Sequence, residues 1–167
     1  LSSKIFTVML NIDLITPPFA GHLFPLLELG QLLQKQGFRV RVLSTSKAQE
    51  AITLCKLDYI ILLADKDQAI AAIADPPYQV KSNPFFLLRQ FEGNLALMKD
   101  LSLDLKTLWQ KDKPDLVLAD FTLPLAGLLA QASGIHWWTS LPTPCALESQ
   151  TGTPSYLGGW MPGRTPF

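Results

Sequence analysis

Short apolar runs alternate along this sequence with longer segments of helical period, and this alternation limits the possible folds more than any other feature. The apolar runs lie at residues 4–10, 39–44, 58–63, 115–119 and 135–140. Short apolar strands separated by helices are typical of βαβ units around a parallel sheet that is buried on both faces. The pattern predicts an α/β protein, a three-layer αβα sandwich with a Rossmann-like, doubly wound parallel sheet.

Two segments show a clear helical period. In the first, leucines between Leu23 and Leu33 form one apolar face, and Gly37 predicts the end of the helix. The second covers residues 84–109, and its apolar arc is wider than packing on one sheet face requires. This wide arc has two interpretations: a buried core helix, or a helix whose spare face lines an apolar pocket.

Two further regions predict irregular structure. Residues 65–83 contain Asp75-Pro-Pro-Tyr78 and only a weak helical turn, and residues from 141 onward are dominated by Pro, Gly, Ser and Thr. A tail with so little to bury cannot offset its ordering entropy without a surface to pack on. We therefore expect residues 1–167 to form one domain whose last part, from about residue 141, leads towards a further domain.

The composition limits the classes of partner. Lys+Arg and Asp+Glu both number 14, so no net basic charge attracts a nucleic acid or an anionic lipid. The run at residues 4–10 is too short to span a bilayer, and Cys55 and Cys145 form no disulfide framework. A mean hydropathy of +0.21 is high for a chain with 17% charged residues. We expect a cytoplasmic protein, without nucleic acid or stable membrane insertion, that binds an apolar ligand or partner.

Two polar residues lie where this topology places a ligand crevice. His22 follows Gly21 between the first strand and the first helix, and Asp120 follows the fourth strand. In the strand order 3-2-1-4-5 these strands are neighbours, about 4.8 Å apart, and ligands bind where the strand order reverses. A carboxylate on one imidazole nitrogen orients the ring, so that the other nitrogen can take a proton from a hydroxyl. Gly21 would let the backbone turn sharply and approach a ligand.

Both residues also have structural interpretations. A histidine after a glycine at the start of a helix can be a capping or packing residue, and an aspartate after a strand often caps the next helix. The residues alone leave these interpretations open. His136 lies beside the fifth strand and is expected to be a core histidine.

Other polar and aromatic residues near strand ends are candidate ligand contacts. Trp137 and Trp138 alternate faces on the fifth strand, so one enters the core and the other can reach the crevice. Ser140, Thr143 and residues 44–46 follow strand ends on the same side and are candidate hydrogen-bonding groups for a polar part of a ligand.

Several other chemistries lack their motifs. The sequence has no Gly-X-Gly-X-X-Gly after the first strand, no Gly-Lys-Ser/Thr phosphate loop and no Gly-X-Ser-X-Gly nucleophile turn. Its two histidines supply no metal-ligand set. We therefore expect no nicotinamide or flavin cofactor, no serine hydrolase and no metal site.

The sequence resembles the GT-B fold glycosyltransferases of the inverting macrolide/UDP-glycosyltransferase type. The resemblance rests on Pro18-Phe-Ala-Gly-His-Leu-Phe-Pro25, Gly37-Phe-Arg-Val-Arg-Val-Leu43, Pro114-Asp-Leu-Val-Leu-Ala-Asp120 and Pro154-Ser-Tyr-Leu-Gly-Gly-Trp-Met-Pro162. These motifs extend over nearly the whole chain in the order and spacing that the family shows.

The resemblance implies transfer of a hexosyl group from a nucleotide sugar, a UDP- or dTDP-sugar that is co-substrate and not cofactor, to a hydroxyl of a small lipophilic acceptor. It implies inversion, no required metal, His22 as the base and Asp120 as its partner. It also implies that this chain is the N-terminal, acceptor-binding half, and that a C-terminal domain binds the donor. The predicted acceptor-binding residues are Phe19, Gly21, Phe85, Phe86, Phe91, Trp138, Ser140 and Thr143.

The sequence departs from the family in one respect. Nothing in it resembles the His- and Gly-rich donor-binding signature of the second domain, so the isolated chain is expected to be inactive. The alternative is a non-catalytic αβα module that binds a small ligand or another subunit. A third possibility is another two-domain enzyme of similar architecture, such as a sugar-nucleotide epimerase.

Overall fold

The computed structural model describes residues 9–74 and 84–142, and within them five strands form one all-parallel sheet. The strand order is β3-β2-β1-β4-β5, which confirms the predicted topology and the α/β fold class. The strands are β1 Asn11–Ile15, β2 Arg39–Ser44, β3 Asp58–Ile61, β4 Leu116–Asp120 and β5 His136–Ser140.

Helices connect the strands, with one 3-10 turn at Ser46–Ala48. They are α1 Ala20–Lys35, α2 Gln49–Leu54, α3 Asp67–Ala74, α4 Pro84–Lys111 and α5 Pro124–Ala132. The first helix ends as predicted, because Gly37 adopts φ +91° and its N–H donates to the carbonyl of Gln34. The 28-residue α4 confirms the second helical segment.

Apolar side chains alternate between the two faces of the sheet and form two cores. On one face, Leu14 and Val42 pack with α1 and α2. On the other face, Ile15 and Val117 pack with the last turns of α4 and with α5. The result is the predicted helix-sheet-helix sandwich, in which α1, α2, α4 and α5 bury apolar residues against the sheet.

The first strand does not lie where the apolar run predicted it. It covers Asn11–Ile15, whereas Met9 and Leu10, the described part of the predicted range, are exposed and belong to no strand. The true strand was overlooked because it contains Asp13, which is 0% exposed. A buried aspartate is tolerated only when it has hydrogen-bonding partners, and those partners are distant in sequence.

The connection after β3 also differs from the prediction. Residues 67–74 form α3, a helix of 8 residues that packs on α4, where the sequence predicted only a weak helical turn within an irregular connection. Residues 75–83, and the irregular tail predicted from residue 141, lie outside the described residues except for residues 141 and 142. In the part of the chain that the structure describes, no helix is both long and apolar enough to cross a bilayer.

Candidate functional site

A cavity of about 450 Å³ opens at the carboxyl ends of the central strands, where the strand order reverses between β1 and β4. Its volume lies within the range of roughly 300–1,000 Å³ typical of small-molecule sites. The loops after β1 to β4, α3 and one face of α4 form its walls. The lining residues are Ile15, Thr16, Pro17, Pro18, Phe19, His22, Ser44, Thr45, Leu62, Leu63, Ile70, Asn94, Leu97, Met98, Leu101, Thr122 and Leu123.

His22 and Asp120 meet at this cavity although they are far apart in sequence. Nδ1 of His22 lies 3.1 Å from Oδ1 and 3.0 Å from Oδ2 of Asp120. The carboxylate is fully buried, whereas the histidine side chain is 23% exposed. The pair joins the first turn of α1 to the end of β4, because β1 and β4 are adjacent parallel strands.

The contact decides which imidazole nitrogen is available for chemistry. A carboxylate can only accept hydrogen bonds, so Nδ1 of the neutral ring is assigned the proton and donates to Asp120. Nε2 then carries the lone pair, and it makes no hydrogen bond to any described residue. His22 lines the cavity, so a proton acceptor lies at its edge.

Two aromatic rings hold the imidazole in place. Phe121, directly after β4, stacks on the ring at a centroid distance of 5.6 Å and an angle of 27°. Phe19, the residue before α1, contacts it edge-on at 6.4 Å and 72°. Ring packing together with the hydrogen bond to Asp120 restricts both the position and the rotation of the histidine.

Thr122 also binds the Asp120 carboxylate. Its backbone N–H donates to Oδ1 of Asp120 at 3.0 Å, and its hydroxyl donates to the same oxygen at 2.6 Å. Helix α5 begins only at Pro124, and the Leu123 that precedes it makes no side-chain cap. Asp120 therefore does not cap α5, and His22, in the third position of α1, does not cap that helix either.

The amino-acid sequence is similar to those of curated glycosyltransferases, although no family model matches it. The NDP-glycosyltransferase YjiC of Bacillus licheniformis is 30% identical over 129 residues, which cover 75% of this chain and 31% of that protein. The UDP-N-acetylglucosamine–N-acetylmuramyl-(pentapeptide) pyrophosphoryl-undecaprenol N-acetylglucosamine transferase of Salmonella typhi is 28% identical over 145 residues, which cover 84% and 34%. The chain thus spans about a third of the length of these relatives.

Solved structures show the same fold. The glycotransferase of kitacinnamycin matches with a TM-score of 0.65 and 24% identity over 81% of this chain and 31% of that one. The glycosyltransferase SsfS6 of Streptomyces sp. SF2575 matches with a TM-score of 0.62 and 22% identity over 78% and 38%. The chain has the N-terminal domain fold of the GT-B glycosyltransferases. This finding confirms the resemblance that the motifs indicated.

Of the two acceptor contacts predicted near the start of α1, Phe19 lines the cavity of this GT-B domain and Gly21 does not. Phe19 lines the cavity beside His22. Gly21 lies inside α1 and outside the cavity lining, so the predicted sharp turn at this glycine is wrong. A Cβ there would meet no atom within 4 Å, and internal packing of the described residues therefore does not require a glycine.

The three predicted phenylalanines lie on the first turns of α4, outside the cavity lining. Phe85 and Phe91 are 78% and 58% exposed, and Phe86 is half-buried. The cavity is lined instead by later turns of the same helix, from Asn94 to Leu101. The spare face of α4 thus does line a largely apolar pocket, as one of the two interpretations held. An acceptor role for the phenylalanines stays a prediction.

The predicted residues of β5 lie at the edge of the sheet. Trp137 packs on the core and against Gly127 of α5, where an added Cβ would meet its ring at 2.4 Å. Trp138 is 67% exposed, and neither it nor Ser140 lines the cavity, although Ser140 pairs with Asp120 in the sheet. His136 is exposed, so the expected core histidine is wrong. Thr143 lies outside the described residues.

The sequence reasoning missed Thr122 and Asn94. Thr122 follows Asp120 by two positions, which is the spacing at which an aspartate side chain accepts a hydrogen bond from its own chain, so a signal for it was present. Asn94 carried no comparable signal. Apolar residues cover much of the surface of α4, so the sequence did not show which face of the helix would line a cavity.

A second buried carboxylate lies in the same sheet, away from the cavity. Asp13 accepts from Nε and the terminal nitrogen of Arg41, at 2.7 and 3.0 Å, and from Nε1 of Trp109 at 3.0 Å. Arg41 also donates to Asp112 just after α4. Burial raises the pKa of Asp13, against the opposing effects of Arg41 and Trp109. This network joins β1, β2 and the end of α4.

Proposed function

We propose that this GT-B domain is the acceptor-binding half of an inverting glycosyltransferase, which moves a hexosyl group from a nucleotide sugar to a hydroxyl of a small lipophilic acceptor. The observation that carries the proposal is the free Nε2 of His22 at the cavity, with Nδ1 held by the buried Asp120. This arrangement gives a base that can remove a proton from a bound hydroxyl.

The proposed reaction is a single displacement. Nε2 of His22 accepts the proton of the acceptor hydroxyl while the hydroxyl oxygen forms a bond to the anomeric carbon of the sugar. The bond between that carbon and the phosphate oxygen breaks, and the nucleoside diphosphate leaves with the bonding electrons. Attack from the side opposite the leaving group inverts the anomeric centre. Asp120 stabilises the imidazolium that forms.

The chemistry of the cavity supports a lipophilic acceptor. Leucine, isoleucine, methionine, proline and phenylalanine side chains supply most of its walls, and polar groups are few. A site of this kind gains affinity from burial of apolar surface and orientation from a few hydrogen bonds.

Related proteins support a nucleotide-sugar donor. One curated relative is named an NDP-glycosyltransferase, one structure of SsfS6 contains thymidine diphosphate, and the similar protein TcCGT1 was solved with UDP. We propose a UDP- or dTDP-sugar as co-substrate, bound by a C-terminal domain. The match covers only about a third of each curated relative, so these proteins are long enough to contain such a domain. On this proposal the chain of 167 residues does not turn over alone.

The test joins this chain to the part of the Bacillus licheniformis relative beyond the matched region. The fusion and the isolated chain are each incubated with UDP-glucose or dTDP-glucose and a panel of hydroxylated aromatic and polycyclic acceptors. Release of the nucleoside diphosphate and the glycosylated product are followed, and the anomeric configuration is read by NMR. We expect transfer by the fusion, with inversion, and none by the chain alone.

The histidine variants decide the role of the base. His22→Ala in the active fusion is expected to lower the rate by roughly 10²–10⁴-fold, because a positioned general base contributes that much. His136→Ala is the matched control, since it removes the other, exposed histidine and should leave the rate unchanged. Turnover near the parental rate after His22→Ala would contradict the assignment, and acceptor binding without any transfer would favour the non-catalytic module.

A further inference from the structure

Most polar side chains of the cavity are already occupied by bonds within the protein. The hydroxyl of Thr16 donates to the carbonyl of Pro17, and the hydroxyl of Ser44 donates to the carbonyl of Thr16. The hydroxyl of Thr122 donates to Asp120. The donor protons of these hydroxyls are therefore used within the protein, and only their acceptor lone pairs remain for a ligand.

Thr45 is also engaged, though less directly. Its hydroxyl is buried and makes no hydrogen bond of good geometry within the described residues. It nevertheless lies close enough to the Asp67 carboxylate to help lower the pKa of that group, behind the larger effect of Ser46. Two side chains of the described lining then keep a hydrogen-bonding nitrogen that no described residue engages, His22 at Nε2 and Asn94 at its amide.

Asn94 is the one polar residue that α4 contributes to the described lining of the cavity. It is half-buried, and Leu97, Met98 and Leu101 follow it at positions i+3, i+4 and i+7 on the same face of the helix. Asparagine is a weak helix former, and an apolar ligand that filled the cavity would remove water from the amide at a cost unless the ligand also bound it. No described residue makes a hydrogen bond to the Asn94 amide.

We propose that Asn94 is a specificity-determining residue that binds a second oxygen of the acceptor. The amide offers both a donor and an acceptor, so a hydroxyl or a carbonyl would satisfy it. The acceptor class is then an apolar molecule with two polar groups, one hydroxyl at His22 and one oxygen at Asn94 on the α4 wall of the cavity. The role of the hydroxyl at His22 rests on the proposed function. The contact of the second oxygen with Asn94 does not depend on it.

The test measures binding of matched probes to the full chain, without any sugar donor. The probes are 2-naphthol, which has one hydroxyl, and the 1,6-, 2,6- and 2,7-naphthalenediols, which add a second hydroxyl at different separations. Affinities are measured by isothermal titration calorimetry. We expect at least one diol to bind the wild-type chain roughly three- to tenfold more tightly than 2-naphthol, the gain of one net hydrogen bond.

Two variants assign that preference to Asn94. Asn94→Leu keeps the size of the side chain and removes its polar atoms, so the diol preference should disappear while 2-naphthol binding is kept. Asn94→Asp keeps an oxygen acceptor at the position and should retain a preference for a diol. Gln110→Leu, an exposed change on the same helix, is the control and should leave all affinities as in the wild type. Circular dichroism checks that each variant is folded.

Three outcomes would overturn the inference: equal binding of 2-naphthol and every diol, a diol preference that survives Asn94→Leu, or no binding of any probe. The outcome is separable from that of the proposed function. An Asn94-dependent diol preference together with a fusion protein that transfers no sugar would sink only the transferase proposal. Sugar transfer without any effect of Asn94→Leu on the choice between naphthol and diol would sink only the Asn94 proposal.

Discussion

Asp13 and Asp120 lie on the adjacent strands β1 and β4 and are 0% and 1% exposed, yet their surroundings differ in kind. Asp13 is bound by Arg41 and Trp109, which are themselves buried, at 3% and 5% exposed. Asp120 is bound by Thr122 and by His22, and both of these residues line the cavity.

The difference separates a carboxylate that joins parts of the fold from one that is placed to act on a ligand. All the donors to Asp13 are enclosed in the fold, so the carboxylate serves to join secondary-structure elements. One donor to Asp120 keeps a free nitrogen at a cavity of ligand size, so its carboxylate can act on a bound molecule through the histidine. Burial alone does not distinguish the two carboxylates, whereas the exposure of their partners does.

The largest expected effect comes from Asp13→Ala. It leaves the buried Arg41 charge with Asp112 as its remaining ion-pair partner, and it leaves Trp109 Nε1 without an acceptor. Breaking a buried pair in this way should lower the free energy of unfolding by about 3–5 kcal/mol. Asp120→Ala leaves no buried cation but removes the acceptor of His22 and Thr122, and it should cost less, about 1.5–3 kcal/mol, the net value of hydrogen bonding to a charged group. Urea denaturation followed by circular dichroism measures both.

A double variant separates pairing from packing. Asp13→Leu with Arg41→Met removes both charges, and because burial raises the pKa of Asp13, the pair is not a large net source of stability. This double variant should therefore be more stable than Asp13→Ala. Equal losses for Asp13→Ala and Asp120→Ala would break the distinction between the two carboxylates.

Asp120→Leu is expected to change stability less than Asp13→Ala does, and to change the tautomer of His22. Without the carboxylate, nothing among the described residues keeps the proton on Nδ1 of His22, and the Nε2–H tautomer that free imidazole prefers should take over. Long-range ¹H–¹⁵N correlation spectra at alkaline pH report the tautomer. The exposed His136, the other histidine of the sequence, is the internal reference. An unchanged Nδ1–H signal in the variant would show that Asp120 does not set the tautomer.

The smallest effect concerns Asp67, a carboxylate whose nearest donor is the exposed Ser46. The Ser46 hydroxyl lowers the pKa of Asp67 from its ordinary value of 3.8. A lowered pKa means that the stabilisation is present above 3.8 and is lost as the pH falls through the pKa of the folded state. Ser46→Ala should therefore be slightly less stable than the wild type near neutral pH.

In acid, the difference between Ser46→Ala and the wild type should vanish. Unfolding free energies from urea titrations over a pH series test this sign. A difference that stays constant through the acid range would mean that Ser46 stabilises the protein by some route other than the Asp67 carboxylate.

The fold class, the strand order, the long α4 and the meeting of His22 with Asp120 were all predictable from the amino-acid sequence. These follow from local patterns combined with one general rule of parallel sheets, because adjacent strands bring their carboxyl ends to the same edge. The order β3-β2-β1-β4-β5 and the contact at 3.0 Å agree with that reasoning.

The start of β1 and the residues that line the cavity were not predictable in this way, because both depend on contacts between distant parts of the chain. Asp13 belongs to a strand because Arg41 and Trp109 reach it from positions far along the chain, and no local window of sequence contains them. Asn94, and not the earlier phenylalanines of α4, lines the cavity because packing on α3 and the sheet sets the rotation of the helix. Hydrophobic periodicity gives the width of an apolar face, whereas long-range contacts determine what that face meets.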